Sequence, residues 1–138
     1  MKTALLLLTM AAFLGLGSHA AWADGPKAPH RPSAEAAARP NPNASDAESR
    51  RRGEALYGKH CADCHGATGK GDGPRAGTMK PRPANLARWM PRKSDGTAAW
   101  YIAEGIGPMP AWKGTLTEAE IWDIVSHLRQ GVATPAPK

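Results

Sequence analysis

One run of five residues, Cys61-Ala62-Asp63-Cys64-His65, constrains what this chain can fold into more than any other feature. The C-x-x-C-H spacing suits covalent attachment of a c-type haem. Each cysteine sulfur can add across one of the two porphyrin vinyl groups. Two intervening residues on a helical turn set the sulfurs at the separation of those vinyls. The histidine that follows directly then lies under the iron and supplies its proximal nitrogen. Cys61 and Cys64 are the two cysteines of the whole chain, so a haem protein would leave none for a disulfide. Two other chemistries compete for the same residues. A thioredoxin-like dithiol wants a preceding strand and a βαβ pattern, and neither is visible. A structural zinc site needs four ligands. The fourth would have to be a second histidine such as His60 or His127, and their spacing suggests no second ligand pair.

Residues 1–23 read as a secretory signal. Lys2 gives a positive start, Ala4 to Gly17 is an apolar run, and Ala21-Trp22-Ala23 is an A-x-A cleavage box before Asp24. Cleavage after Ala20 is the near alternative. Retention as a membrane anchor is the further one, because Ala4 to Ala23 is just long enough to span a bilayer. His19 and the small-residue box favour cleavage. Export to a bacterial periplasm fits the cysteines, since haem is joined to such proteins beyond the membrane. Residues 24–45 have another character, with five prolines between Asp24 and Asn43 and almost no large apolar side chain. Such a segment buries too little surface to offset its ordering entropy, which predicts a disordered spacer. Residues 133–138 are expected to form a disordered tail.

What remains, residues 46–132, is small for a self-sufficient core. A buried porphyrin would supply the missing apolar volume, so the domain should depend on its cofactor to fold. Ser45-Asp46-Ala47-Glu48 matches the S-x-x-E capping box and opens a helix. Gly53, Leu56, Tyr57 and His60 then share one face. A glycine in mid-helix costs about 1 kcal/mol relative to alanine, which is best explained by another helix crossing close against it. Arg50-Arg51-Arg52 lies mostly off that face and reads as solvated surface. The glycine-rich stretch from Gly66 to Pro74 is a loop, without the G-K-[ST] of a phosphate cradle. Ser94-Asp95-Gly96-Thr97 opens a second helix carrying Trp100 and Ile102, with Gly105 as its stop. Thr117-Glu118-Ala119-Glu120 is a second capping box, with Leu116 and Ile121 placed as a hydrophobic staple. Ile121, Ile124, Val125 and Leu128 continue at helical spacing up to Gly131. No alternating strand pattern occurs, and the predicted fold is all-α.

With C-A-D-C-H near the end of the first helix and a Met-Pro before the last, the domain resembles a class I cytochrome c, over about Asp46 to Gln130. The segments Gly66 to Pro74, Pro83-Ala84-Asn85-Leu86, Asp95-Gly96 and Gly105 to Trp112 carry the likeness. The resemblance implies three to five helices wrapped around one covalently attached haem c, with His65 and a methionine sulfur as the two iron ligands. Met109 matches the methionine position. Met90, also before a proline, is its rival, and Met79 a weaker one. The resemblance further implies that the Pro74 carbonyl accepts the ring N–H of His65, and that Gly53 and Tyr57 meet the C-terminal helix with Trp122 as their partner. His127 departs from the family pattern and reads as a surface or helix-end histidine. Arg82, Trp89 and Trp112 are candidates for the haem propionates.

Function follows from the ligation. With His65 and Met109 both bound, no site is open for oxygen or peroxide, and the iron changes charge by one electron. The reading is an electron carrier, not an enzyme, with no small-molecule substrate. Two alternatives stand: a haem module of a larger dehydrogenase or oxidase complex, and a five-coordinate haem gas sensor or peroxidase. The chain has a formal charge of +6, or +5 once Lys2 leaves with the leader. Between Gly73 and Ser94 lie six basic residues, Arg75, Lys80, Arg82, Arg88, Arg92 and Lys93, and no acidic one. In the fold implied, this segment rims the haem. That predicts docking on an acidic face of a membrane-bound redox partner, although a solvated loop surface explains the same charges. Nucleic acid fits neither the compartment nor any motif.

Overall fold

The computed structural model describes residues 31–44 and 46–132. The leader, residues 24–30, Ser45 and the 133–138 tail therefore lie outside it. Six α-helical segments follow in chain order: α1 (Ala34–Ala38), α2 (Ala47–His60), α3 (Ala62–His65), α4 (Leu86–Trp89), α5 (Asp95–Glu104) and α6 (Glu118–His127). Among the described residues there is no strand, only two isolated bridges in loops. The fold is all-α. Two of the segments, α3 and α4, are single turns of four residues, too short to show a period in the sequence.

The frame of the domain is the crossing of α2 on α6, and glycine permits it. A Cβ on Gly53 would lie 1.9 Å from the carbonyl oxygen of Asp123. The helices therefore touch backbone to backbone at this point. Around it a buried polar cluster joins the two. Arg52 Nε donates to Asp123 Oδ2 at 2.7 Å, and the Ser49 hydroxyl donates to the same carboxylate. Arg52 stays exposed, as its position suggested, but its guanidinium is tied across the crossing to the buried Asp123. The crossing partner of Tyr57 is also different from the one implied. His127 is buried, at 8 % exposure, and its ring lies 5.2 Å from that of Tyr57. Trp122 faces the other way, beneath the guanidinium of Arg39 at 5.3 Å. Close approach at Gly53 draws in the residue one turn beyond Asp123, and that residue is His127.

Helix boundaries follow local chemistry. Asp46 caps α2, its carboxylate accepting from Glu48 N at 2.9 Å, so the cap is one residue later than the S-x-x-E pattern indicates. Ser94 caps α5, and Gly105 ends it with φ at +71°. Thr117 and Glu120 form the reciprocal capping box of α6, with Leu116 and Ile121 both buried beside it. After α6 the chain does not stop at Gly131 but closes in a wider π turn, Leu128–Val132.

The segment expected as a disordered spacer is instead part of the domain over residues 33–44. Ser33 caps α1, and α1 packs on α5. A Cβ on Gly96 would lie 2.3 Å from the Ala36 carbonyl oxygen, and Ser94 Oγ donates to Ala37 O at 2.6 Å. Arg39 pairs with Glu118, Asn41 donates to Ser126 Oγ at 3.0 Å, and Asn43 to Asp123 at 3.3 Å. These contacts use backbone carbonyls and polar or charged side chains. They hold the strap without the large apolar residues whose absence signalled disorder.

Candidate functional site

Cys61 ends α2 and caps α3, so the attachment sequence lies on one helical turn. His65 N donates to Cys61 O at 2.9 Å, and Gly66 N to Ala62 O at 2.8 Å. The glycine loop then folds back on this turn. Gly71 N donates to His65 O at 2.8 Å, and Arg75 N to Asp63 O at 2.9 Å. Gly73 is required here, because a Cβ would lie within 2.6 Å of the Ala62 and Asp63 carbonyls. The Tyr57 hydroxyl donates to Gly66 O at 2.7 Å, which locks the end of the turn to α2. Neither cysteine is engaged in a disulfide. Burial pushes the Cys61 thiol up to about 12, so it is uncharged at neutral pH.

His65 Nδ1 lies 3.1 Å from the carbonyl oxygen of Ala84. This corrects the implied Pro74 carbonyl. Pro74 is exposed in the loop beyond the turn, whereas Leu86 N donates to Gly69 O at 2.6 Å and pins the 83–86 segment beside the imidazole. Pro83-Ala84-Asn85-Leu86 was among the segments carrying the family likeness, so the signal was present in the sequence. A ring N–H held by a carbonyl selects the tautomer with its lone pair on Nε2, the form that binds a metal. Burial lowers the pKa of His65, against the opposing effect of the Ala84 bond, and this too favours the neutral ring.

Two adjoining cavities open on this turn. The inner one, of about 270 Å³, has walls from Leu86, Trp89, Tyr101, Ile102 and Ile124. The outer one, of about 690 Å³, has Lys59, Arg75, Arg82, Pro108 and Trp112 around it. Cys61, His65, Ala84, Ile106 and Met109 line both. Met109 reaches this position through a tight turn. Ile106 N donates to Met109 O at 3.1 Å and Met109 N to Ile106 O at 3.0 Å. Gly105 needs its positive φ there, and a Cβ would sit 2.6 Å from Met109 O. Of the rivals, Met90 is fully buried in the core and lines neither cavity. Met79 lines the outer one alone. Among the propionate candidates, Trp89 stands in the inner wall, while Arg82 and Trp112 stand around the outer cavity. Trp112 lies edge-on to His60 at 4.8 Å.

The residues fit a haem c. Two thiols and a neutral imidazole share one turn, a thioether sulfur lines the same space, and the deeper walls are apolar. Cys61 and Cys64 would hold the porphyrin, His65 would hold the iron, and the bound group supplies a one-electron iron couple. The chain's own work is to fix the imidazole through Ala84 and to supply the apolar walls that would surround the porphyrin. The zinc alternative finds no support, since no group of three or more His, Cys, Asp or Glu among the described residues could hold a metal ion.

Fold and site together define a cytochrome c, a class I monohaem domain built for electron transfer. Residues 48–128 match the family model described as cytochrome C oxidase, cbb3-type, subunit III, and the chain belongs to that family. Comparison with curated proteins finds no match.

Proposed function

We propose that this protein is a periplasmic electron carrier that moves one electron at a time between redox partners, with His65 and Met109 as the axial ligands and no substrate of its own. The observation that carries this reading is that His65 and Met109 line the same pair of cavities, while Met90 is committed to the core. A soft thioether opposite an imidazole favours the ferrous iron and raises the potential. With both axial positions taken, the five-coordinate sensor and peroxidase readings lose their open site.

The partner surface lies at the outer cavity. Arg75 and Arg82 from the basic segment stand there with Lys59. The six basic residues of that segment make no ion pair with a carboxylate among the described residues. Free like charges around the outer cavity suit an acidic docking face on a membrane-bound partner. The family description supports a second reading, a haem subunit within an oxidase complex. No helix among the described residues is long and apolar enough to cross a membrane. The absorption spectrum tests the ligation. A six-coordinate low-spin iron, with the methionine–iron band when oxidised and no carbon monoxide uptake when reduced, is expected. A high-spin spectrum contradicts it. Co-purification with an oxidase would place the domain in a complex.

A further inference from the structure

Two of the aromatics that line the inner cavity, Trp89 and Tyr101, belong to a chain of rings that continues beyond it. Trp89 and Tyr101 meet edge to face, with ring centroids 5.7 Å apart and planes at 73°. Tyr101 meets Trp100 in the same manner, at 5.1 Å and 81°. Both pairs lie within the separation that contacting aromatic rings favour. Trp100 lines a third cavity, of about 390 Å³, together with Arg39, Lys113 and Trp122. That cavity shares no lining residue with the two haem cavities. Helical periodicity explains the division: Ala98, Tyr101 and Ile102 form one face of α5, and Ala99, Trp100 and Ala103 another. Adjacent residues Trp100 and Tyr101 therefore bridge the front and the back of the helix.

We propose that Tyr101 and Trp100 carry a second electron route, from the inner cavity across α5 to the back of the domain. Through it the haem would exchange electrons with a redox protein docked on that face. The inference rests on the electron-transfer reading of the haem site. Electron tunnelling weakens steeply across gaps, and rings in contact replace gaps with bonded and van der Waals paths. One electron leaves the ferrous iron and arrives on the oxidised partner, leaving ferric iron. No bond or proton changes place, and the rings couple the two centres without being oxidised themselves. The back rim differs from the front in charge. Arg39 pairs with Glu118, and Lys113 with Glu104, so its charges cancel locally. The partner fitting this face has a near-neutral contact surface, and its docking depends little on salt.

The test attaches a photoactive ruthenium complex to the haem-loaded protein through Lys113→Cys, at the back cavity, and measures the rate of electron transfer from ferrous haem after a flash. Adding Trp100→Leu should slow this rate severalfold while leaving the reduction potential and the visible spectrum unchanged. The same substitution should leave the rate unchanged when the label sits at the front, on Lys59→Cys. If the leucine variant loses its native spectrum, Trp100→Met, unbranched and better able to fill an irregular space and also without a ring, takes its place. A back-face rate that falls less than severalfold, or a front-face rate that falls equally, overturns the route. Failure of the haem to give up an electron to either label overturns the electron-transfer reading instead.

Discussion

The carbonyl oxygen of Asp123 on α6 occupies the place where Gly53 on α2 would carry a Cβ, with a separation of 1.9 Å. Gly58, on the same helix, has nothing within 4 Å of its equivalent position. The two glycines should therefore respond oppositely to the same substitution. Gly53→Ala forces the helices apart and is expected to destabilise the haem-loaded protein by about 1–3 kcal/mol. Gly58→Ala only gains helix propensity and should stabilise by about 0.5–1 kcal/mol. Denaturant unfolding of both variants checks the contrast.

Asp123 also governs the acid limit. Burial alone would raise its pKa, but hydrogen bonds from Arg52 and Ser49, and the Arg52 charge, hold it below the usual carboxylate value of 3.8. A depressed carboxyl contributes stability that is complete above its unfolded value and is lost as pH falls through its folded one. The protein should thus lose stability as pH drops from about 5 to below 4. Asp123→Asn should cost about 1–3 kcal/mol at neutral pH and flatten this part of the profile. Thermal unfolding between neutral pH and pH 3 reads both effects.

The strap over residues 33–44 makes a separate prediction. Arg39 joins it to α6 through Glu118 and the Trp122 ring. Arg39→Ala removes both contacts, of which the cation–π part is worth about 0.5–1 kcal/mol at an exposed site. Amide hydrogen exchange in residues 34–38 should accelerate while the haem spectrum stays unchanged. An altered spectrum would mean that the strap supports the haem site as well.

Parts of this arrangement were legible in the sequence because one residue type served one local need. Ser94 and Thr117 announced helix starts, Gly53 announced a close crossing, and Cys61, Cys64 and His65 announced the cofactor. The misses share a cause. Whether Tyr57 meets Trp122 or His127 depends on the angle and register of two helices, which neither helix's own period contains. The Ala84 carbonyl is backbone, and any residue could supply it. The strap is held by carbonyls over Gly96 and by scattered polar side chains, so its proline- and alanine-rich composition resembled a disordered linker.

Docking at the outer cavity should depend on salt. Charge reversal by Arg75→Glu with Lys80→Glu is expected to slow electron transfer to an acidic partner by about tenfold at low ionic strength. The difference should shrink as salt screens the surface. Stopped-flow rates against ionic strength give the answer, and equal rates for both proteins at low salt would remove this segment from the docking site.

The ligation itself is tested most directly by comparing Met109→Ala with Met90→Ala, each reduced and exposed to carbon monoxide. Thioether attachment depends on Cys61 and Cys64, so both variants should retain haem. Met109→Ala should lose the methionine–iron band, bind carbon monoxide and show a lowered reduction potential. Met90→Ala should lose stability by about 2–5 kcal/mol through its core cavity and keep the band. Carbon monoxide binding by Met90→Ala with none by Met109→Ala would contradict the assignment of His65 and Met109 as the axial pair.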